Sequence, residues 1–289
     1  MNADVVCVGD PFLDLIFLGL GTFPALGEER LAQRLKIVPG GMGNVAFALR
    51  RLGLEAVICA PHGRDLAGRL LTELMADVGV PWHGGPADAT PVSVALPVAG
   101  DRALVSLMPD PTVDTETLRR ITMRAVVVAL PSVPLLPELP AHPRLYAVVG
   151  DPEVAAMAGR LPASLEDLRA LVLNQREAIG LTGRDDAREA AAHLASLGTT
   201  VVVTLGADGA LAIDDTGRTI EVAAPAAHVA DATGAGDLFV SAYVWADLDG
   251  RPLKDRLRLA TTYAALSLER ATDTLKGITA DELREATNR

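Results

Sequence analysis

The chain has 289 residues, of which 49% are hydrophobic and 22% are charged, with 37 acidic residues against 26 basic ones. The net charge of -11 argues against nucleic acid or an anionic membrane as partner, because both need a basic face. Acidic residues interrupt the apolar N-terminus and the apolar runs are too short to cross a bilayer, which predicts a cytoplasmic protein.

Short β-branched runs alternate with longer helical segments along the chain. The runs are almost continuously apolar, as is typical of parallel strands that are covered on both faces. The predicted strands are 5–9, 56–60, 125–130, 145–149, 170–174 and 200–205. The predicted helices are 44–52, 65–78, 186–197, 238–246 and a last one that begins with a capping box at Thr279 and Glu282. This alternation predicts an α/β fold with right-handed crossovers and a mainly parallel sheet.

Two segments, 15–38 and 84–108, break this rhythm with strand-like pieces, glycine and proline but no helical pattern. We expect them to leave the sheet at its ligand-binding edge and to form a small β lid. Residues 131–143 contain five prolines and are predicted to form an irregular loop. Since no repeat or linker is visible, we predict a single domain over 1–289.

The strongest motif is the run Asp-Ala-Thr-Gly-Ala-Gly-Asp at 231–237, which precedes an apolar segment. Glycines let the backbone approach a ligand, and the first N–H groups of a helix bind phosphate. Asp237 would repel such an anion, so its presence needs a reason. Removal of a proton from an attacking hydroxyl is that reason, which makes Asp237 a candidate general base. The alternative is that Asp237 only caps the helix.

A second glycine cluster, Gly-Gly-Met-Gly-Asn at 40–44, precedes another predicted helix. Taken alone, Asn44 is more readily interpreted as the N-cap of that helix than as a side chain that reaches into a cleft. Two glycine clusters at helix starts in an α/β chain nevertheless predict a binding crevice at the sheet edge.

These two segments resemble the signatures of the ribokinase-like family of carbohydrate and nucleoside kinases, also called the PfkB family. The resemblance extends over the whole chain, through Gly9 and Asp14 near the start, 174–177 in the middle, and 203–206 with Gly209 later. A P-loop kinase is excluded because the chain has no Gly-x4-Gly-Lys-Ser/Thr run. The resemblance implies a ribokinase-like fold, with a mainly parallel central sheet flanked by helices and a small β lid.

The resemblance also implies roles for individual residues. Asp237 would be the catalytic base, and the N–H groups at the start of its helix would form an anion hole for the transferred phosphoryl group. The anion hole would comprise Gly234, Ala235, Gly236 and Asp237. The hydroxyls of the acceptor would be bound by Asp14, Gly41 and Asn44. The phosphates of ATP would be bound by Asn174, Thr204, Gly206 and Gly209. Glu177, together with Asn174, would organise Mg²⁺ largely through water.

Two positions depart from the family pattern. Ala232 stands where the family commonly has Thr, in a region that helps to build a monovalent-cation site in several members. Residues 269–272 lack the Gly-Ala expected beside the nucleotide base. These departures argue against activation by a monovalent cation such as K⁺, and they leave the adenine pocket unassigned.

The resemblance thus implies an ATP-dependent carbohydrate kinase that phosphorylates a hydroxyl of a small sugar or sugar derivative. A nucleoside kinase is the first alternative, and its flat slot for a base would have to use one of few aromatic residues, among them Phe12, Phe17 and Phe23. A non-catalytic ligand-binding protein is the second alternative, against which the intact Asp237 argues. The exposed edges of a β lid would also let two copies pair as a homodimer.

Overall fold

The computed structural model describes residues 1–98, 101–108, 112–157, 159–162, 165–226, 233–269 and 276–287. The strands in these ranges are β1 (Asn2–Val8), β2 (Pro11–Leu18), β3 (Arg34–Gly41), β4 (Ala56–Cys59), β5 (His62–Gly63), β6 (Trp82–His83), β7 (Pro86–Ala87), β8 (Val92–Val98), β9 (Asp101–Leu107), β10 (Thr122–Ala129), β11 (Arg144–Val148), β12 (Leu168–Asn174), β13 (Val201–Thr204), β14 (Ala210–Ile213) and β15 (Thr219–Val222). The helices are α1 (Met42–Arg51), α2 (Leu66–Asp77), α3 (Thr115–Arg119), α4 (Asp151–Met157), α5 (Gln175–Thr182), α6 (Ala187–Ala195), α7 (Ala235–Leu248), α8 (Leu253–Glu269) and α9 (Ala280–Thr287).

The central sheet has nine strands in the order β15-β14-β13-β12-β11-β10-β1-β4-β6. Every pair from β13 to β6 is parallel, and only the pairs that involve β14 and β15 are antiparallel. The predicted mainly parallel sheet is therefore confirmed. The sequence interpretation did not anticipate the antiparallel hairpin β14–β15 at one edge.

A separate four-stranded sheet, in the order β3-β2-β8-β9, forms at the predicted lid segments. Its strand β2 begins at Pro11, four residues before the predicted boundary, and β3 continues to Gly41. We call this sheet the lid sheet. The proline-rich segment is less irregular than predicted, because Leu130–Leu135 form a 3₁₀-helix that has Pro134 within it.

Helix α7 is the central helix of the core. Its residues from Leu238 to Asp247 are all buried, as expected for a helix whose sequence is apolar on every side. It packs between α1 and α8, so the end of the glycine-rich motif, from Gly234 to Asp237, is attached to a rigid element. Within the described ranges, no helix combines the length and apolarity that a membrane crossing would need.

Candidate active site

The first turn of α7 carries the candidate base. Gly234 is the N-cap, in the left-handed conformation with φ 79° that favours glycine, and α7 begins at Ala235. The first hydrogen bond of the helix runs from Leu238 N–H to the Gly234 carbonyl at 3.0 Å, so the N–H groups of Ala235, Gly236 and Asp237 precede it. Because Gly234 occupies the capping position, the alternative in which Asp237 caps α7 is wrong. Asp231 and Ala232 lie outside the described residues.

Helix α1 brings the other glycine cluster to the same place. It begins at Met42 after Gly41, whose φ is 53°, so Gly41 is the N-cap and the interpretation of Asn44 as a cap is wrong. Asn44 instead donates a hydrogen bond from Nδ2 to Asp237 Oδ2 at 3.0 Å. A Cβ atom at Gly234 would lie 3.5 Å from Asn44 Nδ2 and 3.8 Å from Asp237 Oδ2. The two motifs, 193 residues apart, therefore meet in one crevice.

The lid sheet supplies the opposite wall of the crevice. Asp14 on β2 lies beside Gly40, where an added Cβ would be only 2.1 Å from the Asp14 carboxylate. At Gly41 an added Cβ would be 2.7 Å from the Phe12 ring. Both glycines are thus required by close approach of side chains. The cleft between the lid sheet and α7 is lined by Asp14, Ile16, Lys36, Val38, Pro39, Asn44, Thr233, Gly234, Leu238 and Lys276.

Sequence reasoning missed three charged residues at or beside this cleft. Lys36 lies on β3, and Lys276, shortly before α9, donates from Nζ to the Thr233 carbonyl at 2.8 Å. Asp10 follows β1, and burial raises the pKa of its carboxyl to about 6. The sequence offers one indication that these lysines are unusual, since the chain contains only three lysines among its 26 basic residues.

Asn174 and Glu177 form a reciprocal capping box at the start of α5. Glu177 N–H donates to Asn174 Oδ1 at 2.9 Å, and Asn174 N–H donates to Glu177 Oε2 at 2.7 Å. Glu177 is partly buried, which raises the pKa of its carboxyl to about 7, and the negative charges of Asp151, Glu153 and Asp237 add to this rise.

The remaining predicted nucleotide residues lie along the next strand. Thr204 ends β13 directly opposite Asn174, so these two side chains stand at the carboxyl edge of neighbouring parallel strands. Gly206, with φ 61°, opens a short 3₁₀ turn. Gly209 has a structural explanation, because an added Cβ would lie 2.0 Å from the Val222 carbonyl of β15.

The donor set around Glu177 suits a hard cation. No cluster of three or more His, Cys, Asp or Glu side chains is poised to hold a metal ion in the part of the chain that the structure describes. Burial is the main cause of the raised pKa of Glu177, and the nearby charges of Asp151, Glu153 and Asp237 add a repulsion that a divalent cation would relieve. Mg²⁺ keeps several of its waters, so a single carboxylate with water-mediated contacts fits it.

Comparisons with known proteins agree with this geometry. The model of the pfkB family of carbohydrate kinases matches residues 2–108 and 144–278. The bifunctional protein HldE of Hyphomonas neptunium is 28% identical over 311 residues, which cover 98% of this chain but only 63% of that protein. Among solved structures, ribokinase from Thermotoga maritima superposes with a TM-score of 0.78 at 18% identity, over 99% of this chain and all of that one. Ribokinase from Cryptococcus neoformans, in complex with ADP, has a TM-score of 0.76 at 21% identity, covering 98% of this chain and 99% of that one. The predicted ribokinase-like fold is confirmed.

Proposed function

The chain belongs to the pfkB family of carbohydrate kinases, and on that premise we propose that it transfers the γ-phosphoryl group of ATP to a hydroxyl of a small sugar derivative. The observation that carries the proposal is the hydrogen bond between Asn44 and Asp237 at the N-terminus of α7, inside the cleft that the lid sheet covers. The Asp237 carboxylate lies in the first turn of α7, beside the N–H groups that we propose to receive the phosphoryl anion, and this supports the proposal.

The proposed reaction is an in-line displacement. The acceptor hydroxyl oxygen attacks the γ-phosphorus while Asp237 accepts the hydroxyl proton, and the bond from the γ-phosphorus to the β–γ bridging oxygen breaks to release ADP. The N–H groups of Ala235, Gly236 and Asp237 stabilise the charge that develops on the phosphoryl oxygens. Asn44 holds the Asp237 carboxylate by its hydrogen bond, and Asp14 and Gly41 orient the acceptor.

Asn174, Thr204 and Gly206 are proposed to line the triphosphate, since they stand together at the carboxyl edge of β12 and β13. Glu177 would hold Mg²⁺ through water, since its carboxylate lies beside Asn174 at this edge of the sheet. Bound Mg²⁺ supplies charge neutralisation on the phosphate oxygens. The protein's own contribution is to position the nucleotide against the acceptor and to exclude water when the lid sheet closes.

A sugar acceptor is favoured over a nucleoside by the composition of the cleft. None of the described residues that line it is aromatic, whereas a base needs a flat apolar slot. Phe17 lies three residues after Asp14 on β2, so strand alternation directs it to the opposite face of the lid sheet. Phe23 is 41% exposed, and Phe12 packs against Gly41.

The outer face of the lid sheet supports a proposed homodimer. Leu35, Ile37, Val105 and Leu107 on its two edge strands are between 38% and 70% exposed. Apolar surface of this kind marks a protein contact, and a second copy would cover it. Val105→Asp is expected to shift a dimer to a monomer in sedimentation, and a wild-type chain that sediments as a monomer at high concentration contradicts the proposal.

The kinase function is tested by ADP release with Mg·ATP across sugars, sugar acids, sugar phosphates and nucleosides. Asp237→Asn should lower turnover of any active acceptor by on the order of 10²- to 10⁴-fold, because it removes the base. Asp249→Asn is the matched control, since Asp249 is an exposed residue just beyond the other end of α7. An Asp237→Asn enzyme as active as the control would refute Asp237 as base, and activity on nucleosides alone would reverse the choice of acceptor.

A further inference from the structure

Two ammonium groups face the acceptor cleft from opposite walls. Lys36 belongs to the lid sheet, and Lys276 belongs to the segment that leads into α9. Both are partly buried and both line the same space as Asp14 and Asn44. The proposed reaction alone does not account for a positive charge on the lid side, because the transferred phosphoryl group is received at the N-terminus of α7.

Lysine is scarce in this chain, which makes its position informative. The only lysines among the 26 basic residues are Lys36, Lys254 and Lys276, and the first and last of these line the same cleft. Arginine supplies the ion pairs that hold the fold together elsewhere, as at Arg169. The lysine ammonium is a compact, strongly hydrated point charge with three donors on a flexible side chain. It can therefore adjust its position to bind a phosphate or a carboxylate.

The register of the lid sheet fixes where the lid-side charge lies. Asp14 is paired with Val38 and Ile16 with Lys36, so Lys36 stands two residues, about 7 Å, further along the strand from the reacting end. Strand alternation places Lys36 on the same face as Asp14 and Ile16. An acceptor whose hydroxyl meets Asp237 would therefore extend toward Lys36 with its far end.

Lys276 supplies the second charge from the opposite wall. Its Nζ donates to the carbonyl of Thr233, immediately before the N-cap of α7, so its ammonium is anchored beside the reacting end. The cleft also contains the carboxylate of Asp14 and adjoins that of Asp237 in a protein of net charge -11. Without nearby cations such a cleft would repel an anionic acceptor.

We infer that the acceptor is an anionic sugar derivative, which carries a phosphate or a carboxylate remote from the hydroxyl that is phosphorylated, with Lys36 as the residue that binds this group. The inference rests on the proposed kinase function and deepens it by naming the class of acceptor. Lys36 recognises the ground state and the transition state alike, so its loss raises KM and leaves kcat nearly unchanged.

The experiment compares neutral sugars with their charged partners in two arms. Ribose is paired with ribose 5-phosphate and fructose with fructose 6-phosphate in the phosphate arm, and glucose is paired with gluconate in the carboxylate arm. Each compound is tested for ADP release with Mg·ATP and, separately, for equilibrium binding by calorimetry without ATP. The variants are Lys36→Met and Lys276→Met, and Lys254→Met is the control because Lys254 is the only other lysine and is exposed on α8.

We expect one charged arm to be preferred, with affinity about 10- to 100-fold weaker in Lys36→Met and unchanged in Lys254→Met. Equal use of neutral and charged partners, or equal effects of Lys36→Met on both, overturns the inference. Turnover of neutral sugars alone overturns it while the kinase function stands. Binding of a charged sugar that Lys36→Met weakens, without any ADP release, supports an anion site at Lys36 but overturns the kinase function and, with it, the role of the sugar as acceptor. Absence of both binding and turnover with every charged sugar overturns the inference.

Discussion

Helix α7 carries an aspartate near each end, and the two environments differ in every respect. Asp247, near the C-terminal end, is fully buried, and Arg169 donates two hydrogen bonds to its carboxylate, at 3.0 and 2.9 Å. Asp237, in the first turn, is partly exposed and receives a hydrogen bond from Asn44. The further partners of Asp247 are Arg144, Arg256 and Tyr146.

The role of each carboxylate therefore depends on its partners and not on its residue type. The negative end of the helix dipole disfavours a charge at Asp247, while the positive end favours one at Asp237. Burial alone would raise the pKa of Asp247, but hydrogen bonds from Arg169 and Tyr146 and the charge of Arg256 hold it below its usual value. Asp247 is thus held ionised by its cations, whereas Asp237 lies at the edge of the cleft, where the proposed reaction requires it to accept a proton.

The same substitution at both ends of α7 tests this difference. Asp247→Asn should lower the free energy of unfolding by about 3–5 kcal/mol, because it removes the buried carboxylate that pairs with Arg144, Arg169 and the largely buried Arg256. Asp237→Asn should change that free energy by less than about 1 kcal/mol, since the amide still fits a partly exposed site. Urea denaturation followed by circular dichroism measures both. Similar losses for the two variants would show that the ends of α7 do not differ in the way described.

The backbone at the N-terminal end allows a second test, Gly234→Ala. A left-handed conformation costs an alanine about 1–2 kcal/mol, and the new methyl group would lie 3.5 Å from Asn44 Nδ2. Gly183→Ala is the matched control, because Gly183 ends α5 at φ 67° and a Cβ there would meet no described atom within 4 Å. Both variants should lose similar stability, but only Gly234→Ala should lose turnover, by more than about tenfold. Equal activity in the two variants would contradict a role for this turn in catalysis.

The fold was predictable from the sequence where local pattern and global structure agree. All six predicted strands fall in the central sheet, since buried parallel strands are continuous apolar runs. The hairpin of β14 and β15 was missed because exposed Thr219 and Glu221 interrupt the apolar pattern of β15, and without that partner the short apolar run of β14 gave no hairpin signal.

The site shows where local reasoning stops. Asn44 alone resembles an N-cap, and only a contact with a residue 193 positions away decides otherwise. The resemblance to a family brought the two motifs together, but it did not point to Lys276, whose approach to Thr233 depends on how the chain returns after α8. The arginines around Asp247 come from β11, β12 and α8, and no local pattern connects them.

Titration distinguishes the two ends of α7 as well. The pKa of Glu177, near the Asp237 end, is raised to about 7, so the folded chain holds a proton there that the unfolded chain releases near 4.5. The stability from this proton is present below about pH 4.5 and is lost as the pH rises through about 7. A cation that replaces the proton should therefore bind about tenfold more tightly for each unit by which the pH rises toward about 7. Its affinity should stay constant above that pH.

The measurement is the apparent affinity for Mg²⁺ in ADP release between pH 5.5 and 8, in the wild type and in Glu177→Gln. The phosphates of ATP titrate identically in both, so the difference between the two profiles reports Glu177. Parallel profiles would exclude Glu177 as the group that holds Mg²⁺.

The smallest effect concerns the cations of Asp247. Arg256 has 14% of its side chain exposed and Arg144 has 44%, so solvent screens the Arg144 pair far more. Arg256→Ala should therefore cost about 2 kcal/mol of stability and Arg144→Ala about 1 kcal/mol or less, because in each case Asp247 keeps its other partners. Turnover of either variant should equal that of the wild type at a temperature where both are folded. In the background of Asp247→Asn, Arg256→Ala should cost much less, since the carboxylate that made the arginine useful is gone. Additive losses in this double-mutant cycle would mean that Arg256 stabilises α8 by packing, and Asp247 would then owe its ionised state to its other partners, Arg169, Arg144 and Tyr146.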